Sequence, residues 1–438
     1  MVIRPSEYVA RMVKDMASLA SYQRARRYSR TTRQKVELPR VKGPVLYVPR
    51  KEPMIWSLGR NFRRDVGRCS GEPETGDMEM QAQHPIHDQV LGFIADPAAA
   101  RFEALALEIF AHQFACIPAY RRVCERHGKT PAAVSDWCDI PPVPTVALKE
   151  VELCCASPEC VFLTTGTTAG TERRGRHALP DLRLYRAAAV AGMKQFLFPD
   201  VADMRILSLI PSGSERPESS LAQMVSWAVE DFGAPGSAGF ARSGHLDLDA
   251  FAQALRQSER GGAPVCIMTT TGALIRFFDH CRAHGWAFRL PHSSRVMDTG
   301  GSKGAPRPLS ARGILHACWN TFATPGYFCT NEYGMTEMCS QFYDNVIRDR
   351  YHGRATHRAK AGPHWVRTLV LDPSSLREAA AGDRGLLCHF DLANAGTAMA
   401  VLTEDVGRVV PDGFELIGRA AGGEERGCSL SAAAFLRE

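Results

Sequence analysis

The sequence predicts an α/β protein with a mostly parallel sheet and a β-rich section towards its C-terminal end. Two observations carry this. From about residue 88, strand-like apolar runs alternate with helix-periodic ones, the pattern of crossover connections in a parallel sheet. From about residue 365, "HWVRTLVLD", "GLLCHFDL" and "AMAVLTEDVGRVV" follow one another with only turns between them, which reads as consecutive strands. A composition of 45% hydrophobic and 23% charged residues supplies enough apolar material for a sizeable core.

In chain order, "DPAAARFEALALEIFAHQFACIPAYRRVCERHG" has apolar residues at helical spacing. "CVFLTT" reads as a strand, "LPDLRLYRAAAVAGMKQFL" as a helix and "RILSLIP" as a strand. "APVCIMTTT", "GALIRFFDHCRAHG" and "SRVMDTGG" then give strand, helix and strand. Ligands of such folds sit at the carboxyl ends of the strands. Residues 1–85 differ: "RMVKDMASLASYQRARRYSRTTRQK" is basic and helix-like, "GPVLYVP" reads as one short strand, and "CSGEPETGDMEMQAQHP" as a polar linker. The expected organisation is an appended segment over 1–85 and one catalytic-type domain over 86–438.

Charge and cysteine content narrow the classes. With 53 Lys and Arg against 47 Asp and Glu, the net charge of +6 is mild. The basic N-terminal residues are not interleaved with an aromatic platform, so no nucleic-acid partner is expected. No apolar run is long enough to span a membrane, and Met1 to Ala20 lacks the apolar stretch of a signal peptide. The expectation is a cytoplasmic protein whose 14 cysteines are reduced. Cys154, Cys155 and Cys160 lack CxxC spacing and companion histidines, so buried inert thiols are expected there.

The chemistry concentrates in four stretches. "CVFLTTGTTAGTERRGRH", Cys160 to His177, carries a Thr/Gly loop followed by Arg173, Arg174, Arg176 and His177. Gly166 and Gly170 allow backbone amides to approach a ligand, the Thr hydroxyls can donate to phosphate oxygens, and the basic residues can neutralise charge. A Walker loop is excluded, because no lysine follows Gly170. "TNEYGMTEMCSQFYD" sets Tyr333, Gly334, Thr336 and Glu337 in the order YGxTE: an aromatic ring for a purine, a hydroxyl for an α-phosphate, a carboxylate for Mg²⁺. "VLTEDVG" offers Asp405 to ribose hydroxyls, and "IGRAAGGEERGCSL" adds Arg419. Each piece alone is weak; the four in this order are specific.

Together with "DIPPVPTVALKEVEL", these stretches resemble the adenylate-forming superfamily, and within it the acyl-protein synthetases of bacterial luminescence systems (the LuxE family). The resemblance runs from about residue 105 to 438. It implies the large domain of that fold without a full mobile C-terminal domain. It also implies ATP and Mg²⁺ as cofactors, a carboxylic acid substrate (a fatty acid is the family expectation), and an acyl-acceptor or reductase partner protein. By the same resemblance, Thr164, Thr165, Gly166, Thr167, Thr168 and Gly170 would hold the β- and γ-phosphates, and Gly300 and Gly301 would edge the adenine. Tyr333 and Gly334 would lie at the purine, Thr336 on the α-phosphate, Glu337 on Mg²⁺, and Asp405 and Arg419 on the ribose. Cys428 would carry the acyl group transiently; a packed apolar role is its alternative.

Two departures from the family pattern stand out. No lysine follows the Thr/Gly loop, so Arg173, Arg174 or Arg176 would have to serve. The C-terminal domain that carries a catalytic lysine in larger members is expected to be absent, which makes Lys149 and Lys303 candidate substitutes. His177 is read as a contact to substrate carboxylate or phosphate, or as a structural histidine. Cys339 is read as core, and Phe277 and Phe278 as core or acyl-pocket wall. Three functions fit: acid activation with transfer to a thiol of the chain or a partner; adenylation with transfer to CoA, a carrier protein or an amine; and a non-catalytic nucleotide-binding scaffold.

Overall fold

In the computed structural model the described residues are 84–164, 174–242, 245–301 and 308–420, all within one compact unit. The expectations for the N-terminal basic helix, for "GPVLYVP", for Thr165, Gly166, Thr167, Thr168, Gly170 and Arg173, for Lys303 and for Cys428 lie outside them.

The chain begins with three helices: α1 (Pro85–Ala95), α2 (Phe102–Cys116) and α3 (Pro118–Arg126). The single helical stretch read from sequence breaks at Ile117, which is extended at φ −109° and ψ 93°; the residue before a proline is pushed out of the helical region. Strands β1 (Cys160–Leu163) and β2 (Arg176–Leu179) follow, then helix α4 (Leu182–Phe196). Next come β3 (Arg205–Ser208), α5 (Ser220–Phe232), β4 (Ala238–Gly239), α6 (Leu248–Gly261), β5 (Val265–Thr270), α7 (Thr271–His284) and β6 (Arg295–Thr299). Then α8 (Ala311–Phe322), β7 (Cys329–Tyr333), β8 (Phe342–Asp344), α9 (Val346–Tyr351), β9 (Lys360–Ala361), β10 (Val366–Leu371), β11 (Arg384–Asp391), β12 (Ala400–Val410) and β13 (Gly413–Arg419) complete it.

The main sheet has twelve strands, in the order β10-β11-β12-β13-β9-β8-β7-β6-β5-β3-β4, with Val143–Pro144 pairing on β12. Strands β4, β3, β5, β6 and β7 run parallel; from β8 onwards the ladder is antiparallel. The sheet is therefore mixed, with its parallel half at residues 205–333 and its antiparallel half at 342–419. Two apolar cores form on it. The larger joins α1–α5 to the antiparallel half, and the second packs α6, α7 and α8 on the parallel strands. Phe277 and Phe278 belong to the second core, 0% and 3% exposed, with Phe277 against Phe251, Phe288 and Phe322. They are core rather than pocket wall.

The sequence passes from the strand "CVFLTT" through the Thr/Gly loop to the helix "LPDLRLYRAAAVAGMKQFL"; in the structure a second strand intervenes, and β1 and β2 pair antiparallel on either side of the loop. It links two strands of a separate two-stranded sheet, so no helix N-terminus follows it directly to add its dipole to an anion.

Candidate functional site

The base of the Thr/Gly loop is closed by a specific set of bonds. Thr164 donates its amide to the Gly175 carbonyl at 2.9 Å, and the Gly175 amide donates back to Thr164 Oγ1 at 2.7 Å. Arg174 donates Nε to the Thr164 carbonyl at 2.7 Å and Nη2 to the Leu163 carbonyl at 3.3 Å. A Cβ at Gly175 would press on this closure, standing 3.0 Å from Thr164 Cγ2 and 3.4 Å from Lys149 Cγ. The stem of Lys149 thus lies beside Gly175 at the base of the loop.

The other two arginine expectations resolve differently. Arg174 is committed to backbone carbonyls, and Arg176 pairs with Glu152 at 3.1 Å on the half-exposed face of β2. His177, the next residue and on the opposite face, is 5% exposed. Its Nε2 lies 3.2 Å from Thr397 Oγ1, and burial depresses its pKa to about 4 against a weaker opposing contact with the Thr336 backbone. It is a neutral, enclosed imidazole at pH 7.

Strand β7 delivers the second group of residues. Its last residue, Tyr333, donates its hydroxyl to Asp405 Oδ2 at 2.8 Å. The Tyr333 ring is 9% exposed, enclosed by Phe342, His389 and Phe414, so it offers mainly its hydroxyl end. Asp405 and Arg419 are direct partners in the β12–β13 ladder, and Arg419 Nε stands 3.4 Å from Asp405 Oδ1. Gly334 begins the turn after β7; a Cβ there would collide with the Glu332 carboxylate.

The turn carrying Thr336 and Glu337 is anchored from beneath. Asn394 donates to the Glu337 carbonyl at 2.9 Å and accepts from the Cys339 amide at 2.9 Å. Asp391 accepts from the Ser340 amide at 2.8 Å and hydroxyl at 2.7 Å. Cys339 is fully buried there, its thiol pushed well up by desolvation, as a core residue would be. Burial holds the Glu337 carboxyl above its ordinary pKa; the charges that act on it are Lys149, Arg419 and Asp405. These four groups, from "VALKE", the YGxTE turn, β12 and β13, therefore share one electrostatic neighbourhood. A partly desolvated carboxylate such as Glu337 is a hard oxygen donor suited to Mg²⁺.

At the ends of β6 and β7, Gly300 adopts φ +77° and its carbonyl accepts from Thr271 Oγ1 at 3.1 Å. A Cβ at Gly300 or Gly301 would meet nothing within 4 Å, so both glycines border open space.

Sequence reasoning missed a largely buried polar cluster on the strands that lead to these residues. Asp298, Asn331, Glu332, Asp344 and Lys360 come from five positions on β6–β9. Lys360 Nζ lies 3.0 Å from Asp344 Oδ1 and donates to Asn331 Oδ1 at 2.7 Å. Thr299 donates to Glu332, whose pKa rises to about 7 through burial. The adjacency Asp298–Asn331 and Thr299–Glu332 is a product of strand register, which sequence spacing does not encode.

A second omission corrects the cysteine reading. Cys116 and Cys155 are joined as a disulfide, contrary to the expectation of reduced thiols, and companion histidines are present. His112 Nε2 lies 3.8 Å from Cys116 Sγ, and His84 stacks on His112 with ring centroids 3.8 Å apart. The histidines escaped notice because they sit at the N-cap of α1 and on α2, far from "CCASPEC" in sequence.

The comparisons with known proteins decide the family. A family model described as "Acyl-protein synthetase, LuxE" matches residues 87–436. The chain belongs to the LuxE acyl-protein synthetase family.

A curated relative, the long-chain-fatty-acid–luciferin-component ligase of Aliivibrio fischeri, is 31% identical over 85 residues, 17% of this chain. That match spans 22% of the relative's own length. Among solved structures, 2-hydroxyisobutyryl-CoA ligase in an open conformation, complexed with 2-HIB-AMP and CoA, has a TM-score of 0.51 at 14% identity, covering 72% of this chain and 74% of that one. The same ligase in the thioesterification state gives 0.52 at 14% identity over 78% and 69%. At such identity the likeness establishes the fold of this LuxE-family chain: the mixed α/β architecture of an adenylate-forming ligase. Among the described residues, no helix is long and apolar enough to cross a membrane.

Proposed function

We propose that residues 86–438 form an AMP-forming acid–thiol ligase that uses ATP to activate a carboxylic acid and passes the acyl group to a thiol. One observation supports this most: Tyr333, Asp405 and Arg419 meet within hydrogen-bonding reach, and Glu337 and Lys149 lie in the same field beside the base of the Thr/Gly loop.

In this reading the ribose hydroxyls donate to Asp405, held in place by Tyr333 and Arg419. The Thr164–Gly170 loop takes the β- and γ-phosphates, Thr336 the α-phosphate, and Gly300, Gly301 and Gly334 border the base. Glu337 holds Mg²⁺, which when bound neutralises phosphate charge. A carboxylate oxygen of the acid attacks the α-phosphorus, the bond to the bridging oxygen breaks, and pyrophosphate leaves. A thiolate then attacks the acyl carbonyl and AMP departs. The protein's part is positioning and charge stabilisation.

Lys149 is the cation we assign to the developing phosphate charge, in place of a lysine after the loop. Arg174 and Arg176 have other partners, so their part is to shape the loop. His177, buried and neutral, positions the Thr336 backbone rather than exchanging protons. Cys428 is the acyl carrier in this reading. The substrate proposed is a long-chain acid, the acceptor a partner such as a reductase, and the setting the cytoplasm.

The test is acid-dependent ATP–pyrophosphate exchange over a panel of acids, with intact-protein mass spectrometry. Exchange plus an adduct lost in Cys428→Ala supports the full reading. Exchange without an adduct moves the acceptor to CoA, a carrier protein or an amine. Absence of exchange with every acid favours a nucleotide-binding scaffold.

A further inference from the structure

Behind the nucleotide-facing surface lies a cluster that the proposed reaction does not use. His112 and Cys116 stand at i and i+4 on α2, so both project from one helix face. Cys155 meets them from the loop before β1. One ligand atom from each of the three lies within 4.8 Å of the others. Two more imidazoles approach: His84 stacks on His112, and the His87 ring stands perpendicular to it at 6.1 Å.

His87 has a distinctive set of partners. It is 5% exposed, with Nδ1 3.1 Å from Asp181 Oδ2 and no hydrogen-bond partner on Nε2. A buried polar nitrogen without a partner is costly. An imidazole held by a carboxylate through one nitrogen, with the other left open, is how metal-ligating histidines are supported. Gly396 links this nitrogen to the cysteine segment: a Cβ on Gly396 would lie 3.5 Å from His87 Nε2, and the Gly396 carbonyl accepts from the Cys155 amide at 2.9 Å.

We propose that His112, Cys116 and Cys155 form a site for a zinc-type divalent metal in the reduced protein, with His87 moving in from the next layer as the fourth, tetrahedral ligand. Two thiolates and two imidazoles suit Zn²⁺ and exclude Mg²⁺, which takes hard oxygen donors. The site is thus chemically separate from Glu337. Cys116 and Cys155 have Cα atoms 4.9 Å apart; as thiolates their sulfurs part by rotation about the Cα–Cβ bonds to bind the metal side by side.

The location gives the site a structural task. Gln113, next to His112 on α2, donates to the carbonyls of Asn394 and Ala395 at 2.9 and 3.1 Å. Asn394 in turn donates to the Glu337 carbonyl. Metal binding fixes the end of α2 and so the turn that carries Glu337, whatever reaction that turn serves.

The test uses the full chain, grown with zinc and purified under a phosphine reductant, with metal content by plasma mass spectrometry and Co²⁺ substitution as the spectroscopic probe. The expected result is one zinc per chain and a cobalt form with thiolate charge-transfer and tetrahedral d–d bands. His112→Ala and Cys155→Ser lose the metal. Asp181 also caps α4 and pairs with Arg183; Asp181→Asn keeps a capping oxygen but loses the charge that holds His87, and it weakens apparent zinc affinity about 10–100-fold while the far-ultraviolet circular dichroism is unchanged. If Cys155→Ser fails to fold, wild-type stoichiometry and Asp181→Asn still decide. Zinc-free protein overturns the proposal, whether its thiol titration shows a persistent disulfide or free thiols. So does zinc that His112→Ala and Cys155→Ser retain.

Discussion

The Tyr333 hydroxyl donates to Asp405 at 2.8 Å across 72 residues of sequence. Arg419 holds the other oxygen of the same carboxylate from the neighbouring strand. One aspartate is thereby fixed by two side chains while the residue itself stays at the edge of open space. Removing either support should loosen nucleotide binding before it affects chemistry. Tyr333→Phe deletes one hydrogen bond to a charged acceptor, which contributes about 1.5–3 kcal/mol. The expected result is an increase in the ATP KM of about tenfold or more, with kcat in pyrophosphate exchange little changed. A fall in kcat at constant KM would separate Tyr333 from ribose binding.

Lys149→Ala should lower the exchange rate by about 10²–10³, the usual loss when one preorganised electrostatic stabiliser of a transition state is removed. Because Lys149 also favours the ionised form of Glu337, its loss raises the Glu337 pKa further. The acidic limb of the pH–rate profile should therefore move to higher pH in Lys149→Ala and less so in Lys149→Arg. Wild-type exchange in Lys149→Ala would return the role to an arginine of the loop.

Glu332 gives a stability prediction with a defined sign. Its pKa rises from 4.5 to about 7 because burial disfavours the anion. In the window between those values the unfolded chain has lost a proton that the folded chain keeps. This contribution is thus fully present below about pH 4.5 and is lost as pH rises to about 7. Glu332→Gln should flatten that loss, raising stability near pH 7 relative to wild type more than near pH 5. Thermal unfolding at the two pH values measures it; an equal shift at both would contradict the buried, protonated assignment.

His177 acts in the opposite sense. Its pKa falls from 6.5 to about 4 through burial, so the stability it contributes is present above pH 6.5 and is lost as pH falls towards 4. His177→Asn should remove this dependence and, by shifting the backbone at Thr336, reduce exchange without moving the pH optimum. An optimum that shifts with the substitution would make His177 a proton carrier instead.

Much of this was legible in the sequence, and the exceptions share a cause. The alternating elements from "RILSLIP" to "SRVMDTGG" and the strands after residue 365 appear where their periodicity puts them, because each buries its own apolar pattern. The sequence also picked out Tyr333, Glu337, Asp405 and Arg419, and the fold brings them together. It could not show that β1 and β2 pair with each other, since pairing partners leave no mark on either strand. Nor could it show that Asp298 and Asn331 face across a register, or that His112 on α2 comes to Cys155. Those are contacts between distant segments, set by packing. The ring of Tyr333 looked available for stacking because its aromatic enclosure comes from β8, β11 and β13.

The central claim is that these residues activate an acid with ATP, and Glu337 tests it most directly. ATP–pyrophosphate exchange should be measured for wild type and Glu337→Gln with the acid that gives wild type its highest rate. The account predicts acid-dependent exchange in the wild type and its abolition in Glu337→Gln, with the fold retained by circular dichroism. Exchange at the wild-type rate in Glu337→Gln would contradict the assignment of the site, and no exchange by wild type with any acid would contradict the activity itself.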